Sequence, residues 1–171
     1  MCGILKLVKL DKDNYPLLTE MMDEWTATDE QIVPYAIRKT DYKDFETYLN
    51  SLEVTDNDSG LVPDSTWFCL DDDRQLFVGA VNIRHYLNER LRLNGGHIGD
   101  GVRPSERKKG IATQMIALAL DKCRELGLKK VLMVCDQKNI GSAKSIINNG
   151  GVLENEVIVD GVTEQRYWID L

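Results

Sequence analysis

The run Val102-Arg103-Pro104-Ser105-Glu106-Arg107-Lys108-Lys109-Gly110-Ile111-Ala112 gathers the residue types that bind a phosphorylated ligand. It puts basic residues and a glycine between a short apolar strand pattern and a long amphipathic helix pattern. A helix start opened by glycine presents unpaired backbone N–H groups, and Arg107, Lys108 and Lys109 add positive charge beside them. That combination suits a pyrophosphate. No Gly-Lys-Ser/Thr follows, so this is not a Walker loop, and the GxGxxG spacing of a dinucleotide site is missing. A side chain at Gly110 would keep the backbone away from a phosphate, which gives the glycine a reason. Two groups able to take up a proton, His97 and Asp100, lie on the strand pattern just before this run. Their odd spacing sends them to opposite faces, so one of the two would face a cleft there. An imidazole with an ordinary pKa near 6.5 suits a base at neutral pH, which favours His97; His85 and Asp136 are further candidates.

The elements that must position these groups are readable from periodicity. Ile4–Leu10 alternates as a half-buried strand, and residues 14–27 repeat Leu17, Leu18, Met21, Met22 and Trp25 at helical spacing. Residues 30–39 contain Pro34 and read as a loop. Asp41 is a candidate N-cap for a second helix striped by Tyr42, Phe45, Tyr48, Leu49 and Leu52. Asp56–Ser65 is polar and turn-rich, a surface loop. Strands at Thr66–Leu70 and Leu76–Arg84 flank Asp71-Asp72-Asp73, which reads as a solvated turn, since the twelve-residue calcium loop with its closing glutamate is absent. Residues 85–93 are ambiguous. Gly95–Val102 is a glycine-rich strand, a sign of a bulge or of close backbone approach. Ala112, Met115, Ile116, Ala119, Cys123 and Leu126 share one helical face, closed by Gly127. Lys130–Cys135 is a doubly buried strand. Asn139–Asn149 is a short helix with Asn139 as its candidate cap, and Asp160-Gly161 joins two alternating strands in a hairpin.

Composition sets the class. The chain has 171 residues, 43 % hydrophobic and 29 % charged, which is ordinary for one globular domain, here residues 1–171. No apolar run approaches a membrane span, and the first ten residues lack a signal-peptide pattern, so a cytoplasmic protein with no membrane partner is expected. Cys2, Cys69, Cys123 and Cys135 show no metal-like spacing, and three of them sit in apolar segments as reduced thiols; no metal is expected. The net charge of −7 is uneven: residues 1–73 hold 17 acids against 6 bases, and residues 74–171 hold 11 against 15. A basic half suits an anionic cofactor, and an acidic half suits a cationic partner or mere solubility. Nucleic acid is not an expected partner at this charge.

Arg107, Gly110 and Ala112 satisfy Arg-x-x-Gly-x-Ala, and with the order strand, two helices, three strands, helix, strand, helix, two strands the chain resembles the GNAT superfamily of N-acetyltransferases. The resemblance spans most of the chain and is most specific over Gly95–Gly151. It implies an α/β (α+β) fold, a mixed and mostly antiparallel central sheet with splayed central strands and flanking helices. It implies acetyl-coenzyme A as cosubstrate, its pantetheine arm between Gly95–Val102 and Lys130–Cys135. Backbone groups around Val102 would bond the arm, and the N–H groups from Arg107 through Lys108, Lys109, Gly110 and Ile111 to Ala112 would hold the pyrophosphate. Asn139 matches the family's asparagine at the second cofactor helix, and Ser142 and Ala143 match its small positions. On the same resemblance Trp25, Tyr35, Tyr42 and Tyr48 would line the acceptor side.

The sequence departs from the family where a tyrosine usually acts as general acid: that position is Ile146. A coenzyme A thiolate can take its proton from water, and Cys135, Ser145 and Tyr167 are other donors. The resemblance thus implies direct transfer of acetyl to a primary amine, on a small molecule or peptide and cationic if the acidic half serves it, with a possible homodimer. The missing tyrosine leaves open a coenzyme A-binding sensor without catalysis, or a structural oligomer partner with a vestigial groove.

Overall fold

The computed structural model describes residues 3–55 and 60–171. Cys2 and part of the loop expected over residues 56–65 lie outside the described residues.

Strand β1 (Leu5–Val8) leads into helix α1 (Tyr15–Thr26), where Pro16 occupies the first turn and fixes φ without losing a bond. Leu18, Met21, Met22 and Trp25 fall on one face and are buried, as the i, i+3, i+4, i+7 spacing requires. The stretch expected to be a loop contains a short helix, α2 (Tyr35–Arg38), that starts directly after Pro34. Helix α3 (Phe45–Ser51) begins later than its apolar stripe suggests. Asp44 caps it, accepting from the Thr47 N–H at 3.3 Å, whereas Asp41 accepts from Lys43 N–H in the preceding turn. Two acids at short spacing compete for one cap, and the choice is made by where the chain turns.

Strands β2 (Asp64–Asp71) and β3 (Leu76–Arg84) form a hairpin, and α4 (Glu89–Leu93) occupies the ambiguous stretch, capped by Asn88. Strand β4 (Ile98–Val102) then leads through one 3-10 turn (Pro104–Glu106) into α5 (Ile111–Glu125). Strand β5 (Lys130–Asp136), helix α6 (Ile140–Asn148) and the hairpin β6 (Val152–Val159) and β7 (Val162–Asp170) complete the chain. The sheets are ordered β1-β2-β3-β4 and β5-β7-β6, and every neighbouring pair is antiparallel. The splay between β4 and β5 is therefore complete enough to leave two sheets.

One core cluster packs α5 on both sheets, with Val81, Ile98, Met115, Ile116, Val131, Met133 and Ile146 inside. A second lies under α1 and α3, where Phe68 and Phe77 stack at 5.2 Å beneath Trp25 and Tyr48. On α5 the buried face includes Ile111 and Leu120, while Leu126, counted in the apolar stripe, is exposed. Trp25, Tyr42 and Tyr48 are core residues; of the four aromatics assigned to the acceptor side only Tyr35 is exposed. Asp71 is also not solvated. It is fully buried and receives Nε of Arg74 at 2.7 Å. No helix is long and apolar enough to cross a membrane, and no cluster of three His, Cys, Asp or Glu could hold a metal ion, among the described residues.

The glycines of β4 serve close approach. A Cβ on Gly101 would lie 1.9 Å from the carbonyl oxygen of Val33, and one on Gly99 would meet Pro34 and Arg84. No register shift interrupts the β3–β4 pairing, so no bulge is needed to explain them. Gly101→Ala should therefore push the 30–34 segment off β4 and cost about 1–3 kcal/mol, as overpacking does. Urea unfolding checks this: an unchanged midpoint would mean that the segment moves without cost.

Candidate functional site

Among the described residues the facing edges of the two sheets are hydrogen-bonded through one residue pair. The His97 N–H donates to the Leu132 carbonyl at 2.8 Å, and the Leu132 N–H donates back to His97 Nδ1 at 2.9 Å. On its other side β4 pairs with β3 through odd-numbered residues, as Arg84 N–H to His97 O and Arg103 N–H to Val78 O show. Strand alternation then turns the backbone groups of Asp100 and Val102 toward β5. The same reasoning applies to β5, where Gln137 N–H to Thr163 O and Leu171 N–H to Lys129 O put the odd residues on β7. Val134 and Asp136 thus face β4 across the split. Beyond the His97–Leu132 junction a cleft of about 680 Å³ runs from the β4 edge at Asp100, Gly101 and Val102 to the starts of α5 and α6.

The start of α5 closes the far end of this cleft. Gly110 sits at φ +78° as its N-cap, no side chain caps the helix, and Gln114 is the first residue to bond back, to Gly110 O at 3.3 Å. The N–H groups of Ile111, Ala112 and Thr113 are left for a guest. A Cβ on Gly110 would meet nothing within 4 Å, so the glycine serves its left-handed backbone and leaves open space beside the helix start.

The basic residues here have acidic partners. Arg107 forms a two-pronged pair with Glu30, at 2.8 and 2.9 Å, and its Nε reaches Val102 O at 3.3 Å. Lys109 binds Glu106 at 3.1 Å, and buried Glu106 also takes both terminal nitrogens of Arg74 at 2.9 Å. The Arg74 bonds hold the Glu106 carboxyl below the usual range, as Arg107 does for Glu30. Arg103, buried, binds Glu24 at 2.9 Å and Glu20 at 3.3 Å. Burial alone would raise the Glu24 carboxyl, but bonds from Ser105 and Arg103 outweigh it and hold it low. Three acids of the first half, Glu20, Glu24 and Glu30, thus answer Arg103 and Arg107 of the basic loop from within the chain. Lys108, at φ +62°, forms no ion pair among the described residues.

Of the two groups able to take up a proton, Asp100 lines the cleft. Burial pushes its carboxyl up to about 6. The His97 ring, preferred on its ordinary pKa, is buried, its Nδ1 accepts from the Leu132 N–H, and burial followed by the charges of Arg84 and Arg92 pulls it down to about 4. Such a ring is neutral at working pH but has its accepting nitrogen occupied. Of the further base candidates, the His85 ring bonds Ser65 and Asp136 accepts from the Lys138 N–H. Of the candidate acids, burial pushes the Cys135 thiol up to about 11 and raises the Tyr167 hydroxyl, which donates to Gln165. Ser145 lines the cleft while donating to Gly141 O at 3.0 Å. Ile146 faces the core.

Val102, Arg107, Lys108, Gly110, Ile111, Ala112, Asn139 and Ser142 also line the cleft. Lys109 does not, being turned to Glu106. Asn139 Oδ1 accepts from the Ser142 N–H at 3.1 Å, the capping bond that its type favours. Sequence reasoning missed the wall formed by Glu30, Gln31 and Val33, which were assigned to an unremarkable loop. The glycines of β4 were the only signal for it, since a strand without side chains invites a covering segment.

The family model for the acetyltransferase (GNAT) domain matches residues 5–152. No curated protein matches the sequence. Among solved structures, the ribosomal L7/L12 alpha-N-protein acetyltransferase RimL in complex with coenzyme A superposes with a TM-score of 0.68 at 16 % identity, covering 98 % of this chain and 94 % of that one. A chimera (R149-K152) of the Vibrio cholerae spermidine N-acetyltransferase SpeG and hSSAT gives 0.66 at 18 % identity, covering 97 % and 95 %. A ribosomal-protein-serine acetyltransferase from Vibrio cholerae, assigned as such only provisionally, gives 0.62 at 14 % identity, covering 98 % and 94 %.

The junction carries a pH signature. An unfolded imidazole titrates near 6.5 and the His97 ring near 4, so its contribution is complete above about 6.5 and is lost as pH falls toward 4. That loss amounts to at most about 3 kcal/mol. His97→Gln should be less stable at neutral pH and should lose less stability than the wild type between about pH 7 and 4.5. Denaturant midpoints at several pH values test this; parallel curves for the two proteins would remove His97 as the source.

Proposed function

The chain belongs to the acetyltransferase (GNAT) family, and from that premise we propose that it transfers an acetyl group from acetyl-coenzyme A to a primary amine. The observation that carries the proposal is the cleft itself: the β4 edge at Asp100–Val102, which has no strand paired on its outer side beyond His97, ending at an uncapped helix start. Such a site fits an extended amide-containing arm that terminates in a pyrophosphate. Asp100, Val102 and Val134 would bond the arm through their backbone groups. The N–H groups of Gly110, Ile111, Ala112 and Thr113, with Lys108 and Arg107, would hold the phosphates, and Asn139 and Ser142 would meet the cofactor from α6. When bound, acetyl-coenzyme A supplies the acetyl group as a thioester.

This chain's own part in the chemistry falls to Asp100. An amine near pKa 10 arrives protonated and must lose that proton to become a nucleophile. A carboxylate with a pKa near 6 is ionised at neutral pH and so can accept the proton, directly or through water. The exposed Arg107–Glu30 pair contributes at most about 1 kcal/mol, so Arg107 can exchange Glu30 for a phosphate at little cost. Lys109 is held more firmly, because its partner Glu106 is buried.

Two measurements decide the proposal. Calorimetric titration with acetyl-coenzyme A should show binding that Gly110→Glu weakens at least tenfold, by adding bulk and negative charge at the helix start; unchanged affinity in a folded variant would place the phosphates elsewhere. Glu30→Gln should tighten binding by up to about fivefold, the value of the exposed pair. Thiol release across a panel of amines should then identify an acceptor. With it, Asp100→Asn should lower kcat by about 10²–10⁴ and remove an acidic limb near pH 6, with cofactor affinity nearly unchanged. An unaltered pH profile would exclude Asp100 as the base, and binding without turnover on any amine would leave a sensor.

A further inference from the structure

A second cavity, of about 510 Å³, has a lining with no residue in common with the cleft. Val33 lines the cleft and Tyr35 lines the cavity, so the two meet across the segment around Pro34. Its charge is one-sided. Arg38, Lys39, Arg84 and Arg90 line it, with Asp64 as the sole carboxylate among its described lining residues. Asp64 already spends Oδ1 on the Val54 N–H at 2.7 Å. Arg38 is partly satisfied, donating to Ile32 O at 3.0 Å and lying over the Tyr35 ring. Lys39 and Arg90 form no ion pair among the described residues.

Arg84 is the informative group. Its guanidinium is drawn inward, close enough to Gly99 that a Cβ there would lie 3.3 Å from either terminal nitrogen. It has five N–H donors, yet among the described residues its bonds are to the carbonyls of Gly95 at 3.3 Å and Gly96 at 3.5 Å. Burial lowers its pKa, and the first opposing influence is the charge of Asp64, its cross-strand neighbour on β2, which stands beyond ion-pair distance. A cation drawn out of water without a carboxylate partner is destabilising unless something else supplies the acceptor. A planar oxyanion matches the guanidinium fork with two parallel bonds.

Resting on the acetyltransferase reading, we infer that this cavity holds the acceptor by an anionic group, so that the substrate is an amine carrying a carboxylate, such as an amino acid or an acidic peptide, and not a polyamine. Arg84 and Arg90 grip the carboxylate, and Lys39 adds charge at the mouth. Among the described lining residues a polyamine in the same place would face four cations and one committed carboxylate, which disfavours it. This reverses the cationic acceptor expected from the acidic half of the sequence, in which Glu20, Glu24, Glu30 and Asp71 are already bound by Arg103, Arg107 and Arg74.

The test is binding, independent of turnover. Calorimetry and thermal shift at low salt would compare glutarate, its neutral diamide and a diamine of the same length. Glutarate should bind and raise Tm, while the diamide and the diamine should not. Arg90→Gln, on the exposed side of the cavity, should weaken glutarate at least about fivefold and leave acetyl-coenzyme A affinity unchanged; Arg84→Gln should do more if it folds. Diamine binding tighter than glutarate, or glutarate affinity unaltered in Arg90→Gln, would overturn the inference. Loss of acetyl-coenzyme A binding in the wild type would instead overturn the acetyltransferase reading and leave the glutarate result standing.

Discussion

The structure turns on a problem of backbone hydrogen bonding. Buried strand edges must have partners, and the edge shared by β4 and β5 has them only at His97 and Leu132. There a side chain replaces a backbone acceptor, so both polar groups of Leu132 are satisfied by one residue. A continued ladder would have joined the sheets and left no cleft. An imidazole at the last shared position ends the ladder instead, and the N–H and C=O groups beyond it are available to a guest. The fold and the site are thus one feature, since the core under α5 holds both sheets in place while the split keeps them apart.

Electrostatics fixes the loop that completes the cleft. Residues 103–109 are tied to α1 through Arg103, Glu20 and Glu24, to the β2–β3 turn through Glu106, Arg74 and Asp71, and to the 30–34 segment through Arg107 and Glu30. These contacts differ in worth. Arg103, Asp71 and Glu106 are buried, and removing one partner would strand the other. The Arg107–Glu30 pair is open to water and weak. The loop is therefore held rigidly by its buried residues while its outermost cation stays exchangeable, which suits a site that must exist before its ligand arrives.

What could be read from the sequence follows the range of the interactions. The long α5, the doubly buried β5, the Asp160-Gly161 hairpin and the Asn139 cap depend on neighbours a few residues away, and each stands where periodicity or turn chemistry puts it. Asp44 against Asp41, and the helix inside the 30–39 stretch, are choices between equivalent local options that tertiary contacts decide. Asp71 was read as solvated because three adjacent aspartates usually are; its burial depends on Arg74, and through it on Glu106, 35 residues away. His97 shows the same limit. An ordinary pKa is a property of an exposed imidazole, and nothing near it in sequence announces that Leu132 will occupy its nitrogen. The uneven charge was legible as a number, but that the two halves answer each other was not.

Ile146 shows why a count along a motif does not fix a role. Gly141, Ser142, Ser145 and Asn148 form the stripe of α6 that faces the cleft, spaced as one helical face must be. Position 146 is rotated away from that stripe into the core, in the cluster that also holds Cys135 and Tyr167. A tyrosine there would have to displace packed apolar side chains before its hydroxyl could approach the cleft, so an aliphatic residue is what this backbone accommodates. The small residues of the stripe have the complementary effect: they leave room along the cleft and bring no acid to it. Of the two proton acceptors on the strand pattern before the loop, it is Asp100 that lines the cleft, while His97 is spent on Leu132.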